Sequence, residues 1–290
     1  MTERLSDVEA RIRTVHQLSA VITAMRGIAA ARTREARSQL DGVRAYAKTI
    51  ATAIGHALTF LPAAERTGAV PRTAGTHVII ALCAEQGFAG AFSEHVLKAA
   101  EEVRRKVRCQ RTELLVVGDR GMMTADQRGL DVDWSAPMVA HPAQAAKLAN
   151  RIVEALYTRL DTDRVMRVTL LYKTPSGAEL PQVVEKQLVP FDFSRFPLPP
   201  SAMDPLITLP PQVLLAKLVE EYVFAELCEA VMLSFAAENE ARMRAMIAAR
   251  SNVAKTLDGL IARSRQLRQE EITNEIVELA SGAETNAASG

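Results

Sequence analysis

Apolar side chains recur every third or fourth residue from the start of the chain. Leu5, Val8, Ile12, Val15, Leu18, Ile22, Met25 and Ala29 form one run, and Ala36, Leu40, Val43, Ala47, Ile50, Ile54 and Leu58 resume it. That spacing is a helix seam with coiled-coil character, and no proline interrupts it before Pro62. Ser6 is placed to cap its start, with Glu9 as the capping-box partner. A straight helix over residues 3–60 is about 85 Å long, more than a compact domain can bury.

The period changes between roughly residues 75 and 195. "HVIIALC" (77–83) and "ELLVVGD" (113–119) are short apolar runs ending in turn signals, as buried strands do. "VMRVTLLY" (165–172) and "QVVEKQLV" (182–189) read as strands too. Helical stretches near 92–107 and 142–160 lie between them, so an α/β, Rossmann-like layer with a mostly parallel sheet is expected. "KTPSGAELP" (173–181) reads as the turn that joins the last two strands as an antiparallel pair.

After the Pro-rich connector "FPLPPSAMDPLITLPP", no proline follows Pro211 and the only glycine before Gly282 is Gly259. Val213, Leu218, Tyr222, Ala225, Val231, Ala237, Ala241 and Met246 share a drifting face, which Val253, Leu257, Leu260, Ser264, Leu267, Ile276 and Leu279 continue. The expected fold is an α/β domain inserted between two very long N- and C-terminal helices that pair as an antiparallel coiled coil. Its parts are 1–60 (helix), 75–195 (α/β domain), 205–284 (helix) and 285–290 (flexible tail). The C-terminal helix is the longer, so its end would project beyond its partner.

Charge narrows the possibilities. The net charge of +1 leaves no overall nucleic-acid footprint. From Arg242 to Arg268 there are seven basic residues against Asp258; beyond Arg268 come Glu270, Glu271, Glu275, Glu278 and Glu284 with no Lys or Arg. The N-terminal helix has a basic run of its own, Arg26, Arg32, Arg34, Arg37, Arg44 and Lys48 against Glu35 and Asp41. A solvated helix face explains such belts, and so do acidic protein partners. DNA would be repelled by the acidic tip and would find no interleaved aromatics to stack on. No apolar run approaches the roughly 20 residues of a membrane span, and "MTERLSDVEARIR" lacks a signal-peptide core. Any work at a membrane would need another chain to hold this one there. Cys83, Cys109 and Cys228 are odd in number and far apart, as reduced buried thiols are.

Catalytic chemistry is poorly represented. "EQGFAGAF" (85–92) follows the first strand, where phosphate loops sit, with Gly87 and Gly90 but no Lys-Ser/Thr pair. A tight strand-to-helix turn is the stronger reading, and the same holds for "GDRGM" (118–122). His16, His56, His77, His95 and His141 are never at metal-ligand spacing. Met243 and Met246 suit helix packing or an adaptable surface. No catalytic set, metal site or cofactor site emerges.

Near the C-terminus, Arg268, Gln269, Ile272, Thr273, Glu275, Ile276, Glu278, Leu279, Gly282 and Ala283 fit the pattern R-Q-x-x-I-T-x-E-[IL]-x-E-[IL]-x-x-G-A. In this the chain resembles the gamma-subunit family of F-type ATP synthases, and the resemblance runs over almost its full length. "ENEARMRAMIAARSN" resembles the family's preceding segment through Glu238, Ala241, Arg242, Met243, Ala245, Met246, Ala248, Ala249 and Asn252. "AMRGIAAARTREA" and "VRAYA" retain Ala24, Met25, Ala29, Ala30, Arg34, Ala36, Arg44 and Tyr46 of its N-terminal signatures. Ala20 and Thr23 stand where the family carries lysines, Glu85–Ser93 departs from its D-R-G-L-C-G-G-L-N loop, and Ala45 replaces a proline. These departures point to a divergent branch, a sodium-linked complex being one reading.

The resemblance implies a central rotor shaft without catalytic groups of its own. Its partners would be the alpha and beta subunits of the catalytic ring, an epsilon-type subunit and the membrane c-ring, with ATP chemistry left to the ring. Arg268, Gln269 and Thr273 would meet a catch loop on a beta subunit, with Glu275, Glu278 and Leu279 in the surrounding sleeve. Met25, Arg32, Arg34, Arg242, Met243 and Met246 would form lower-shaft contacts. The chain would lie on the cytoplasmic face of a bacterial inner membrane, peripheral and held by the complex. A coiled-coil tether explains the helix lengths but not the C-terminal motif. An α/β enzyme with helical arms lacks the acid–base set it would need.

Overall fold

A computed structural model describes residues 4–62, 66, 75–107, 111–162, 165–176, 182–198 and 206–287, with side chains for all of these except 161–162, 278 and 280–287. Among the described residues, five α-helices and five strands follow in the order α1 (Leu5–Thr59), β1 (Thr76–Leu82), α2 (Phe92–Lys106), β2 (Arg111–Val117), α3 (Asp119–Gln127), β3 (Trp134–Ala136), α4 (Ala145–Thr162), β4 (Val165–Lys173), β5 (Val183–Val189) and α5 (Pro211–Ala287). Two compact units divide them: Ala29–Arg242, and Met1–Ile28 together with Met243–Gly290. The long helices α1 and α5 contribute to both.

The larger unit is built on one sheet of order β3-β2-β1-β4-β5. All neighbours are parallel except β4 and β5, which are antiparallel with Leu170 opposite Lys186. Every residue of β1 is buried, as expected of a central parallel strand covered on both faces. The pleat sends alternate side chains to two cores. Val78, Ile80 and Leu82 join Leu115, Leu170, Ile152, Leu227, Val231 and Phe235 on the side of α4 and α5. Ile79 and Ala81 join Val96, Leu97, Val103 and Ala125 on the side of α2 and α3.

Within this unit α1 and α5 run antiparallel. As numbers rise on α1 they fall on α5: Arg37 faces Glu240 at 3.8 Å, Arg44 bonds Glu229 at 2.8 Å, and Tyr46 donates to Glu221 at 2.7 Å. Ala36 and Leu40 fill the seam between these pairs, and Ile54, Ala57 and Leu58 meet Leu215 at its end. Glu226 of α5 is buried and takes both Lys186 (2.9 Å) and Arg195 (2.7 Å), which fastens β5 and the following turn to the helix.

The smaller unit holds the beginning of α1 and the end of α5. Val8 and Ile22 are buried on its α1 side and Met246 on its α5 side. Glu9 accepts from Arg268 at 2.9 Å, so the first turns of α1 lie beside α5 at Arg268, well before α5 ends at Ala287. This corrects the expected cap: α1 begins at Leu5, Ser6 is already helical, and the Glu9 carboxylate serves the ion pair. The anticipated turn at 173–181 falls partly outside the described residues, and Cys109 lies outside them altogether.

Candidate partner-contact surface

From Arg268 to Val277 every residue of α5 is exposed. Helical geometry, at about 100° per residue, puts Arg268, Gln269, Ile272, Thr273, Glu275, Ile276 and Leu279 on one broad face. Ile276 is 60% and Leu279 74% exposed, and Ile272 and Val277 are also open. A helix face with this much bare apolar surface, edged by carboxylates, has the character of a protein contact. Two of its polar groups are engaged locally: the Arg268 guanidinium with Glu9, and the Thr273 hydroxyl with the Gln269 carbonyl at 2.8 Å. The Gln269 side chain is exposed, and the Glu278 side chain lies outside the described residues.

The residues expected on the lower shaft separate by burial. Met25, Arg32 and Met243 are half-buried, Arg34 is exposed, and Met246 is buried. Arg242 is buried and spends its donors within the larger unit. It bonds the Glu238 carboxylate, the Asn239 amide oxygen (3.0 Å) and the carbonyls of Gly87 (3.2 Å) and Gln86 (3.4 Å). The sequence signal was present but ambiguous, because Glu238 and Arg242 at i,i+4 look like an ordinary surface pair.

That network also explains the glycine-bearing loop after β1. The Glu238 carboxylate accepts from the backbone N–H groups of Glu85 and Gln86, both at 3.2 Å. The amides that would cradle a phosphate therefore already hold an anion from the chain itself. Glu85 in turn accepts from the Asp119 N–H (3.2 Å) and the Met138 N–H (2.6 Å), tying together three loops at the carboxyl end of the sheet. Gly118 has φ +104, and a Cβ there would lie 2.6 Å from the Ala84 oxygen, so the "GDRGM" turn needs glycine for close approach.

The remaining titratable groups are packed into the fold. His77 is fully buried, its Nε2 2.9 Å from the Thr169 hydroxyl, and burial, aided by Arg167, lowers its pKa to about 4. Lys173 is buried, donates to His95 Nδ1 at 2.9 Å and lies over the Phe92 ring. Burial pushes the Cys83 thiol up to about 12 and Cys228 to about 11, which makes both poor nucleophiles. Among the described residues no group of three or more His, Cys, Asp or Glu could hold a metal ion, and no helix is long and apolar enough to cross a membrane.

Comparison with known proteins agrees over the length of the chain. A family model described as ATP synthase matches residues 4–285. The ATP synthase gamma chain of Solibacter usitatus (strain Ellin6076) is 28% identical over 286 residues, covering 96% of this chain and 98% of the relative. That of Rhodospirillum rubrum is 27% identical over 303 residues, covering 97% and 98%. Among solved structures, a chain of the Euglena gracilis mitochondrial ATP synthase (OSCP, F1 and c-ring, rotational state 3) has a TM-score of 0.68 at 12% identity, covering 98% of this chain and 95% of that chain. At that identity the likeness speaks for the fold: two long terminal helices with a mixed-sheet domain between them.

Proposed function

The chain belongs to the ATP synthase gamma-chain family, and from that premise we propose that it is the rotating central stalk of a membrane-bound ATP synthase. It is a non-catalytic subunit; ATP is made or hydrolysed on its partners. The alpha and beta subunits form the ring around α5, while an epsilon-type subunit and the membrane c-ring bind the other end of the stalk. The complex holds the chain peripherally at the cytoplasmic face of a bacterial inner membrane.

The mechanism follows from asymmetry. A paired shaft presents a different face to each surrounding subunit, so each catalytic site feels a different contact at any instant. Turning the shaft moves those contacts in sequence and shifts each site between open and closed states by differential affinity. The exposed face from Arg268 to Leu279 is the part suited to the sleeve: its apolar side chains have open surface to give, and Arg268, Gln269 and Thr273 supply polar contacts at its lower margin. Arg34 and the half-buried Met25, Arg32 and Met243 are the lower contacts.

The observation that carries this reading is the family match across residues 4–285, which includes both long helices as well as the sheet. Reconstitution tests it. The purified chain alone is expected to hydrolyse no ATP, and adding it to matching alpha and beta subunits is expected to produce sustained turnover. Steady hydrolysis by the chain alone, or alpha–beta assemblies indifferent to its presence, would overturn the assignment.

A further inference from the structure

Glu238 and Arg242 lie one turn apart on α5, and both are almost wholly buried. A charged pair in such a place costs desolvation and is retained only with full hydrogen bonding. Here the pair is satisfied by backbone from elsewhere in the chain. Glu238 takes the N–H groups of Glu85 and Gln86, and Arg242 takes the carbonyls of Gln86 and Gly87. Asn239, which accepts from Arg242 at 3.0 Å, is itself tied to the Phe235 carbonyl at 2.9 Å. Three successive loop residues are thus held at both donors and acceptors by side chains of one helix.

The held loop is not a relaxed one. Phe88 has φ +62, a left-handed conformation that is costly for a bulky side chain, and it is 67% exposed. Gly90 follows at φ +60. Strained backbone of this kind persists where its surroundings over-determine it.

We propose that Glu238 is a positioning residue of the rotor: its carboxylate, gripped by Arg242, clamps the Glu85–Gly90 loop to α5 so that the loop turns rigidly with the helix. This rests on the rotor reading for its consequence, although the clamp itself is a property of the chain. The loop then transmits force through its backbone hydrogen bonds as a fixed projection of α5. The same arrangement gives a reason for a carboxylate at 238: it is the anion that completes an amide cradle left empty of any phosphate-binding motif.

The test compares the natural chain with Glu238→Ala and Glu238→Gln, as full chains and in the assembled complex. Glu238→Ala leaves a hole facing two N–H groups and a guanidinium, which formate fits in charge and size. Hydrogen exchange at the Glu85 and Gln86 amides should quicken about ten- to hundredfold in both variants, the effect of losing a charge-assisted bond, while Ile80 in β1 stays protected. ATP-driven ion pumping should fall about tenfold, within the same range. Sodium formate, against sodium chloride at equal ionic strength, should restore both readouts in Glu238→Ala and neither in Glu238→Gln, whose side chain fills the hole. Unchanged exchange at Glu85 and Gln86 overturns the clamp. So does faster exchange that spreads to Ile80 and ignores formate, because that marks general loss of structure; if Glu238→Ala does not fold, Glu238→Gln decides by the same exchange criterion. If the natural chain fails to activate alpha and beta subunits at all, the rotor reading falls while the exchange result still judges the clamp.

Discussion

Arg268 shows how one side chain divides between the fold and its function. Its ion pair with Glu9 is exposed, and such pairs contribute under about 1 kcal/mol. A charge-assisted bond to a partner subunit, enclosed by the sleeve, would be worth about 1.5–3 kcal/mol, or about ten- to hundredfold if it acts in the rate-limiting conformational step. Arg268→Ala and Gln269→Ala are therefore expected to lower ATP turnover of fully assembled complexes by about that factor, whereas Glu9→Gln removes only the internal pair and should leave turnover within about twofold. Steady-state ATPase rates decide it; equal damage from Glu9→Gln would assign Arg268 to the fold. His77 yields a prediction of a different kind. Its folded pKa, about 4, lies below the ordinary 6.5, so between these values the unfolded chain binds more protons. Stability is then lost as pH falls from about 6.5 to about 4, with no further loss from this group below that. Urea unfolding across that window should show a shallower decline for His77→Gln than for the natural chain; parallel curves would mean that His77 protonates freely in the fold.

Periodicity revealed some elements and could not reveal others. The apolar stripe from Leu5 to Leu58 announced α1, and the continuous run 77–83 announced β1, because each repeats one geometric period long enough to stand above chance. The three-residue β3 and the short α3 carry too few turns of any period. At the end of α5, Ile276 and Leu279 continue a seam in the sequence but are exposed in the chain, since a stripe records that a face is buried without recording by which polypeptide. The role of the Glu238–Arg242 pair was hidden for a related reason: spacing places the pair on a helix, while its partners come from a loop some 150 residues away. Glycines test the elements directly. A Cβ at Gly259, within α5, meets nothing within 4 Å, so Gly259→Ala should stabilise the isolated chain by about 0.5–1 kcal/mol through helix propensity. Gly121 in α3 would place its Cβ 2.1 Å from that of Cys83, and Gly121→Ala should destabilise by about 1–3 kcal/mol through overpacking. Chemical denaturation of the two variants reads both signs, and a stabilising Gly121→Ala would refute the close packing of α3 against Cys83 and Val116.

At the scale of the whole molecule, a rotor must turn inside a stationary ring while ATP is consumed. As a member of the gamma-chain family it is a non-catalytic subunit, and on the proposed reading its contribution is mechanical. The natural thiols favour a direct observation, because Cys83 and Cys228 are buried and slow to label. With Cys109→Ser in the background, a single probe can be attached through Gln127→Cys at the exposed end of α3, and the alpha–beta ring can be fixed to a surface. Single-particle tracking during ATP hydrolysis should show the probe revolving in one direction, stopping when ATP is withdrawn and resuming on its return. A probe that stays fixed while the same complexes hydrolyse ATP at full rate would contradict the rotor assignment.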